Sequence, residues 1–212
     1  MAGKTGYTPI SNGSPMEGPE QITDVYEHFD DLIDQVKANI AALPISGNWL
    51  GRRIIANDTK IVYRWNGAAW KAWESGWITY TAALTNLTVG TGGSALAVTK
   101  YRYVGGEVEV DLLFVLGTSG SGVGTNPTVA LPMSVAPVAH PTAIYSGAAS
   151  LFDVTPGAMR PAIVVADTVV NYIRLYMVTA GVTQAYDSIT SGAPWGWAAG
   201  DAIHARFWVT PA

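Results

Sequence analysis

Side chains that move protons, hold metals or attack substrates are scarce in this 212-residue chain. Its three histidines, His28, His140 and His204, show no HxH or HExxH spacing, so neither a metal site nor a catalytic triad is expected. Cysteine is absent, which removes disulfides, thiolate metal centres and Cys nucleophiles together. There is no GxSxG elbow, and GTSGSGVG (117–124) lacks the Lys-Ser/Thr that a phosphate loop requires; it reads as a flexible loop between strands. Asp153, Asp167, Asp187 and Asp201 are isolated acids, and nothing singles out two of them as a glycosidase pair. The expectation is therefore no enzyme, no cofactor and no bound metal. What remains is aromatic. "APWGWAAGD" sets Trp195 and Trp197 beside turn residues, and Tyr145 and Tyr186 flank other breaks. A ring held at a loop tip suits stacking on a sugar or insertion into a partner. Trp195, Tyr145 and Tyr186 are the candidate ligand-binding residues; Trp197, entering the next strand, is expected to plug the end of the fold.

The elements that must hold those loops are β-strands. From Trp77 onward, "GGEVEVDLLFVLG" (105–117) alternates Val108, Val110, Leu112, Phe114 and Leu116 with Glu107, Glu109 and Asp111, predicting one buried face at first and two later. "AIVVA" (162–166), "NYIRLYMVTA" (171–180) and "DAIHARFWV" (201–209) repeat the type between Gly- and Pro-rich breaks. Seven to nine short strands at this spacing predict an antiparallel, jelly-roll-like β-sandwich head over 77–212.

The chain before the head is organised differently. Residues 1–18 are turn-rich and read as an extended attachment segment. Over 19–44, Ile22, Tyr26, Phe29, Ile33, Val36, Ile40 and Leu43 recur at alternating steps of four and three, the spacing of a heptad seam. Pro19 suits the first position of a helix and Pro44 ends it. β-Branched residues at both core positions favour three strands, so a trimeric coiled coil is expected with those seven residues as its interface. Residues 45–76 form a neck, where Asn66-Gly67 predicts a two-residue type I′ hairpin with Tyr63 opposite Trp70. A lone hairpin needs a partner surface. Residues 51–76 hold five basic and two acidic side chains, a solvated face or a contact for acidic neighbours.

Hydrophobic residues make up 49% and charged ones 13%, a globular composition. The net charge is −4, with two basic and seven acidic residues in 1–50 against ten and nine in the remainder. No basic face is present to neutralise phosphates, which argues against a nucleic-acid partner. The opening MAGKTGYTPISNG lacks the apolar core of a signal peptide, and no apolar run is long enough to insert in a membrane, so synthesis in a cytoplasm is expected.

Several stretches together resemble a known family. "WITYTAALTNLTVGTGGSALAVTKYRYVGGEVEVDLLFVLGTSGSGVGTNPTVALPMSVAP", with "PWGWAAGDAI" later, is similar to the C-terminal head of minor tail proteins of long-tailed, actinobacterial-type bacteriophages. The features of that head fall on Trp77, Gly90, Tyr103, Gly105, Val108, Gly117, Leu131, Pro132, Trp197, Gly200 and Asp201. "NGSPMEGPEQITDVYEHFDDLI" resembles the segment by which such proteins attach to the tail tip, and "YRWNGAAWKAW" their aromatic hairpin. The ending departs from the pattern: such heads often close on Tyr-Glu, whereas this chain closes on Phe207-Trp208-Val209-Thr210-Pro211-Ala212. The resemblance implies a homotrimeric tail-tip fibre, a virion protein joined to other tail or baseplate proteins through its N-terminus. Its head would attach the particle to a host-surface glycan. It carries no fixed ligand motif. Alternatives are a tail-associated glycan-degrading enzyme, a purely structural tip protein, and a secreted trimeric ligand of the tumour-necrosis-factor type.

Overall fold

The computed structural model describes residues 35–134, 144–167, 171–178 and 187–212. They form two compact units, one running to Gly76 and the other from Trp77 to the end.

In the first unit four strands lie in the order β1 (Gln35–Lys37), β2 (Arg53–Ala56), β3 (Ile61–Trp65), β4 (Trp70–Glu74). β1 runs parallel to β2, and the other pairs are antiparallel. Period-2 alternation sends Ile54, Ala56, Ile61 and Tyr63 to one buried face, joined by Leu43.

The α-helix expected over 19–44 is absent from its described part, residues 35–44. Ile22, Tyr26, Phe29 and Ile33 lie outside the described residues. Val36 sits in β1 and is 60% exposed, Ile40 opens a three-residue 3-10 turn (Ile40–Ala42), and Leu43 is the residue that ends that turn. Two contacts overrule the heptad spacing. Residues 35–37 gain ladder partners from β2, and Asn39, extended at φ −158°, uses its side chain to accept the Ala42 N–H. An extended residue at 39 cannot lie inside an α-helix.

The hairpin at Asn66-Gly67 is also displaced. Trp65 pairs with Trp70 and Tyr63 with Ala72, so the loop has four residues, 66–69, and not two. The Asn66 carboxamide decides this by accepting the N–H groups of both Ala68 and Ala69 (3.0 and 2.8 Å). The shift is two residues, an even number, so the aromatic face survives: Trp65 and Trp70 meet edge-on at 5.5 Å. The hairpin's partner surface lies within this unit, since β3 pairs with β2 and the Trp70 indole donates to the Pro44 carbonyl at 2.8 Å.

The second unit contains β5 (Ile78–Thr79), β6 (Leu84–Thr88), β7 (Leu96–Val104), β8 (Glu107–Val115), β9 (Gly122–Ala130), β10 (Ile144–Asp153), β11 (Ala158–Asp167), β12 (Tyr172–Met177), β13 (Asp187–Ser188) and β14 (Ala202–Val209). Neighbours run β7-β8-β14-β10-β11-β12-β9-β6, with β5 against β7 and β13 against β12. Every one of these pairs is antiparallel. One core takes inward residues from β8 (Phe114), β14 (Phe207), β10 (Leu151), β12 (Leu175), β9 (Val129) and β6 (Leu87), so the sheet curls until its two ends share an interior. The unit is mainly β and sandwich-like in packing; among the described residues the one helical element is the 3-10 turn of the first unit. The stretch read as a loop at 117–124 is strand in its last three residues, because Gly122 to Gly124 open β9.

Two glycine requirements fix this frame. Gly105 and Gly106, both at positive φ, make the two-residue turn that pairs Val104 with Glu107. Gly90 lies so close to the 117–121 segment that a Cβ there would stand 2.4 Å from the Ser119 carbonyl.

Candidate functional site

Alternation leaves the polar halves of β7, β8 and β14 on one outer face, and the strand register sets them side by side. Lys100 stands opposite Asp111, and Arg102 opposite Glu109. Arg206 stands opposite Asp111, and Trp208 opposite Glu109. Glu109 is the buried centre, 3% exposed, taking Arg102 Nε at 2.6 Å and Arg206 Nε at 2.6 Å on separate carboxylate oxygens. Asp111 takes Lys100 Nζ at 3.2 Å and His204 Nε2 at 2.9 Å. Burial pushes the Asp111 carboxyl up, but hydrogen bonds from His204 and Lys100 outweigh it and hold its pKa below the usual carboxylate value.

Trp77 lies over this network. Its ring is 4.8 Å from Lys100 Nζ, 4.8 Å from the Arg102 guanidinium and 5.7 Å from that of Arg206. The face thus combines two partly exposed indoles, Trp77 at 38% and Trp208 at 41%, with exposed N–H donors on Arg206 and His204. Glu109 and Asp111 are each held by two cationic partners. The face offers stacking surface and hydrogen-bond donors.

The turn before β14 behaves differently from its expectation as a loop tip. The rings of Trp195 and Trp197 sit 5.6 Å apart, and both pack against the core. The Trp197 indole donates to the Thr190 carbonyl at 2.9 Å, while the buried Trp195 Nε1–H has no partner among the described residues. Asp201, fully buried, anchors the turn: Oδ1 accepts the Val154 N–H at 3.0 Å and Oδ2 the Ala198 N–H at 2.8 Å. Trp195 is thereby placed as a packing residue with a half-buried ring. Tyr145 belongs to β10, and Tyr186 lies outside the described residues.

Of the four acids considered for a glycosidase pair, Asp153 and Asp187 accept the nearby N–H groups of Thr155 and Ser188. Asp201 is committed to Val154 and Ala198. His28 and His140 lie outside the described residues. Among the described residues no cluster of three or more His, Asp or Glu is arranged to hold a metal.

The outer face of β7, β8 and β14 was missing from the sequence reading. Its signal was present as the polar half of each alternation, but only the register reveals that the three halves adjoin. Comparison of the chain with protein-family models, with curated proteins and with solved structures finds no match.

Proposed function

We propose that this chain is a tail-tip protein of a long-tailed bacteriophage, homotrimeric in the particle, whose head attaches the virion to a glycan on the host cell surface. The family part of this reading rests on the resemblance of the sequence. The residues that carry it have structural work in the head, which is what a shared architecture requires: Gly90 and Gly105 shape turns, and Asp201 ties the final turn to Val154.

The glycan part rests on one observation, the Trp77–Trp208 face with its Lys, Arg and His donors. Indole faces stack on sugar rings, and charged N–H donors bond hydroxyl or acidic substituents. A shallow face of this kind binds one sugar weakly. Several copies held in one particle raise avidity without new contacts. Residues 1–18 are the part assigned to attachment within the tail.

The test is sedimentation of the purified full-length protein with insoluble cell walls from a panel of actinobacteria, alongside native mass spectrometry. Retention on some walls, its loss in Trp208→Ala and a mass near 67 kDa, three times 22.4 kDa, support the reading. Absence of retention on every wall, or a monomeric mass at micromolar concentration, overturns the adhesive or the trimeric part respectively.

A further inference from the structure

The sheet of the first unit has a second face, opposite the one that buries Ile54 and Tyr63. Two cross-strand rows cross it. Val36, Ile55 and Val62 are register partners over β1, β2 and β3. Arg53, Arg64 and Lys71 are register partners over β2, β3 and β4. Side chains directly opposite in a sheet lie about 5 Å apart, and like charges so placed repel. Glu74 reaches Arg53 at 3.3 Å, and Arg64 stacks over Trp73 at 4.6 Å. Residues 35–76 hold six basic and two acidic side chains, a net charge of +4.

The opposite balance lies immediately upstream. Residues 1–34 hold one basic and seven acidic side chains, a net charge of −6, and all seven acids fall between 17 and 34. Within 22–34 the apolar Ile22, Tyr26, Phe29 and Ile33 are interleaved with Asp24, Glu27, Asp30, Asp31 and Asp34. An apolar row beside a cationic row is the complement of an apolar series flanked by acids. The segment joins the sheet at Gln35, the first residue of edge strand β1. Lys71 is three strand spacings away, about 14 Å. Thirteen residues cover about 20 Å even at the rise of an α-helix.

We propose that residues 22–34 dock in cis on this outer face of the first unit, with their apolar side chains over Val36, Ile55 and Val62 and their acids over Arg53, Arg64 and Lys71. The apolar series then serves its own chain and not a bundle of copies. The inference stands apart from the receptor-binding reading, because it concerns only the charge and pattern of the first 76 residues.

Zero-length carbodiimide cross-linking of the full-length protein, read by peptide mass spectrometry, tests it directly. The expected product joins Lys71 to an acid within 24–34 in a species of monomer mass, in a yield unchanged by dilution. Hydrogen exchange supplies an independent readout: amides of 22–34 should exchange about tenfold faster when salt is raised from about 0.02 to about 0.5 M. The same acceleration is expected at low salt in Arg64→Glu/Lys71→Glu, with protection recovered in part by adding Asp30→Lys/Asp31→Lys. Cross-links found only between chains would assign the segment to a neighbouring copy and overturn docking in cis. Exchange in 22–34 that is fast and indifferent to salt would overturn docking altogether. Should the charge-reversed neck fail to fold, the cross-link and salt series on the unaltered protein still decide the question.

Discussion

Arg206 stands opposite Asp111 in the β8–β14 register, yet its guanidinium goes two residues along β8 to Glu109, at 2.6 Å. Asp111 is already held by Lys100 and His204, whereas Glu109 is nearly sealed from water and needs both Arg102 and Arg206. Glu109→Ala should therefore leave two guanidiniums side by side without their anion. Breaking a fully buried pair costs about 3–5 kcal/mol, but both arginines remain partly exposed, so about 1–2 kcal/mol is expected here. Glu109→Gln should cost less, since the amide oxygen still accepts. Urea midpoints of the two variants check the order.

Asp111 makes the head sensitive to acid. Its folded pKa lies below the ordinary carboxylate value, because hydrogen bonds from His204 and Lys100 outweigh burial. Its contribution is therefore fully present above the unfolded pKa of about 4 and is lost as pH falls through the lower folded value. Asp111→Asn should flatten the fall in stability between about pH 5 and pH 3, measured by urea unfolding across that window. An unchanged slope would show that other carboxylates dominate the acid response.

Asp201 is the anchor of the last turn. Its two oxygens each accept a backbone N–H, from Val154 and from Ala198. Removing both acceptors in Asp201→Ala leaves two backbone donors unpaired, but Val154 and Ala198 are both exposed to water, so a loss of about 1–3 kcal/mol in total is expected. Asp201→Asn keeps one carbonyl oxygen and should lose roughly half as much. The same variants should speed amide exchange at Val154 and Ala198 before the rest of the head responds.

Gly90 and Gly120 separate two reasons for glycine. Both hold positive φ, at 75° and 68°. A Cβ at Gly120 meets nothing within 4 Å, whereas at Gly90 it would stand 2.4 Å from the Ser119 carbonyl and 2.6 Å from the Ser121 nitrogen. Gly120→Ala should cost only the left-handed backbone, about 1–2 kcal/mol. Gly90→Ala adds a clash with backbone that cannot swing aside, and thermal unfolding should place it well below Gly120→Ala. Equal melting temperatures would mean that the 117–121 segment moves freely.

Which residues become strands in the head follows from chemistry that acts locally. Alternating Val, Leu and Phe against Glu and Asp over 105–117 can bury one side only as a strand, and Gly105-Gly106 can take the paired positive φ of a tight turn. Those elements were legible because period and turn chemistry need no distant partner. The first unit shows where local reading stops. Seven apolar residues at heptad spacing promised a helix to Leu43, but β2 offered residues 35–37 a parallel ladder and Asn39 took an extended cap. The Asn66 side chain, by capping two amides, lengthened a hairpin that its dipeptide alone predicts as shorter. The candidate site was illegible for the same reason. Lys100, Arg102, Glu109, Asp111, His204, Arg206 and Trp208 are polar or outward positions of three strands, and β14 enters between β8 and β10 only in the folded sheet. Alternation decides which face of a strand each side chain occupies, whereas hydrogen-bonded register across strands nearly a hundred residues apart decides which side chains meet.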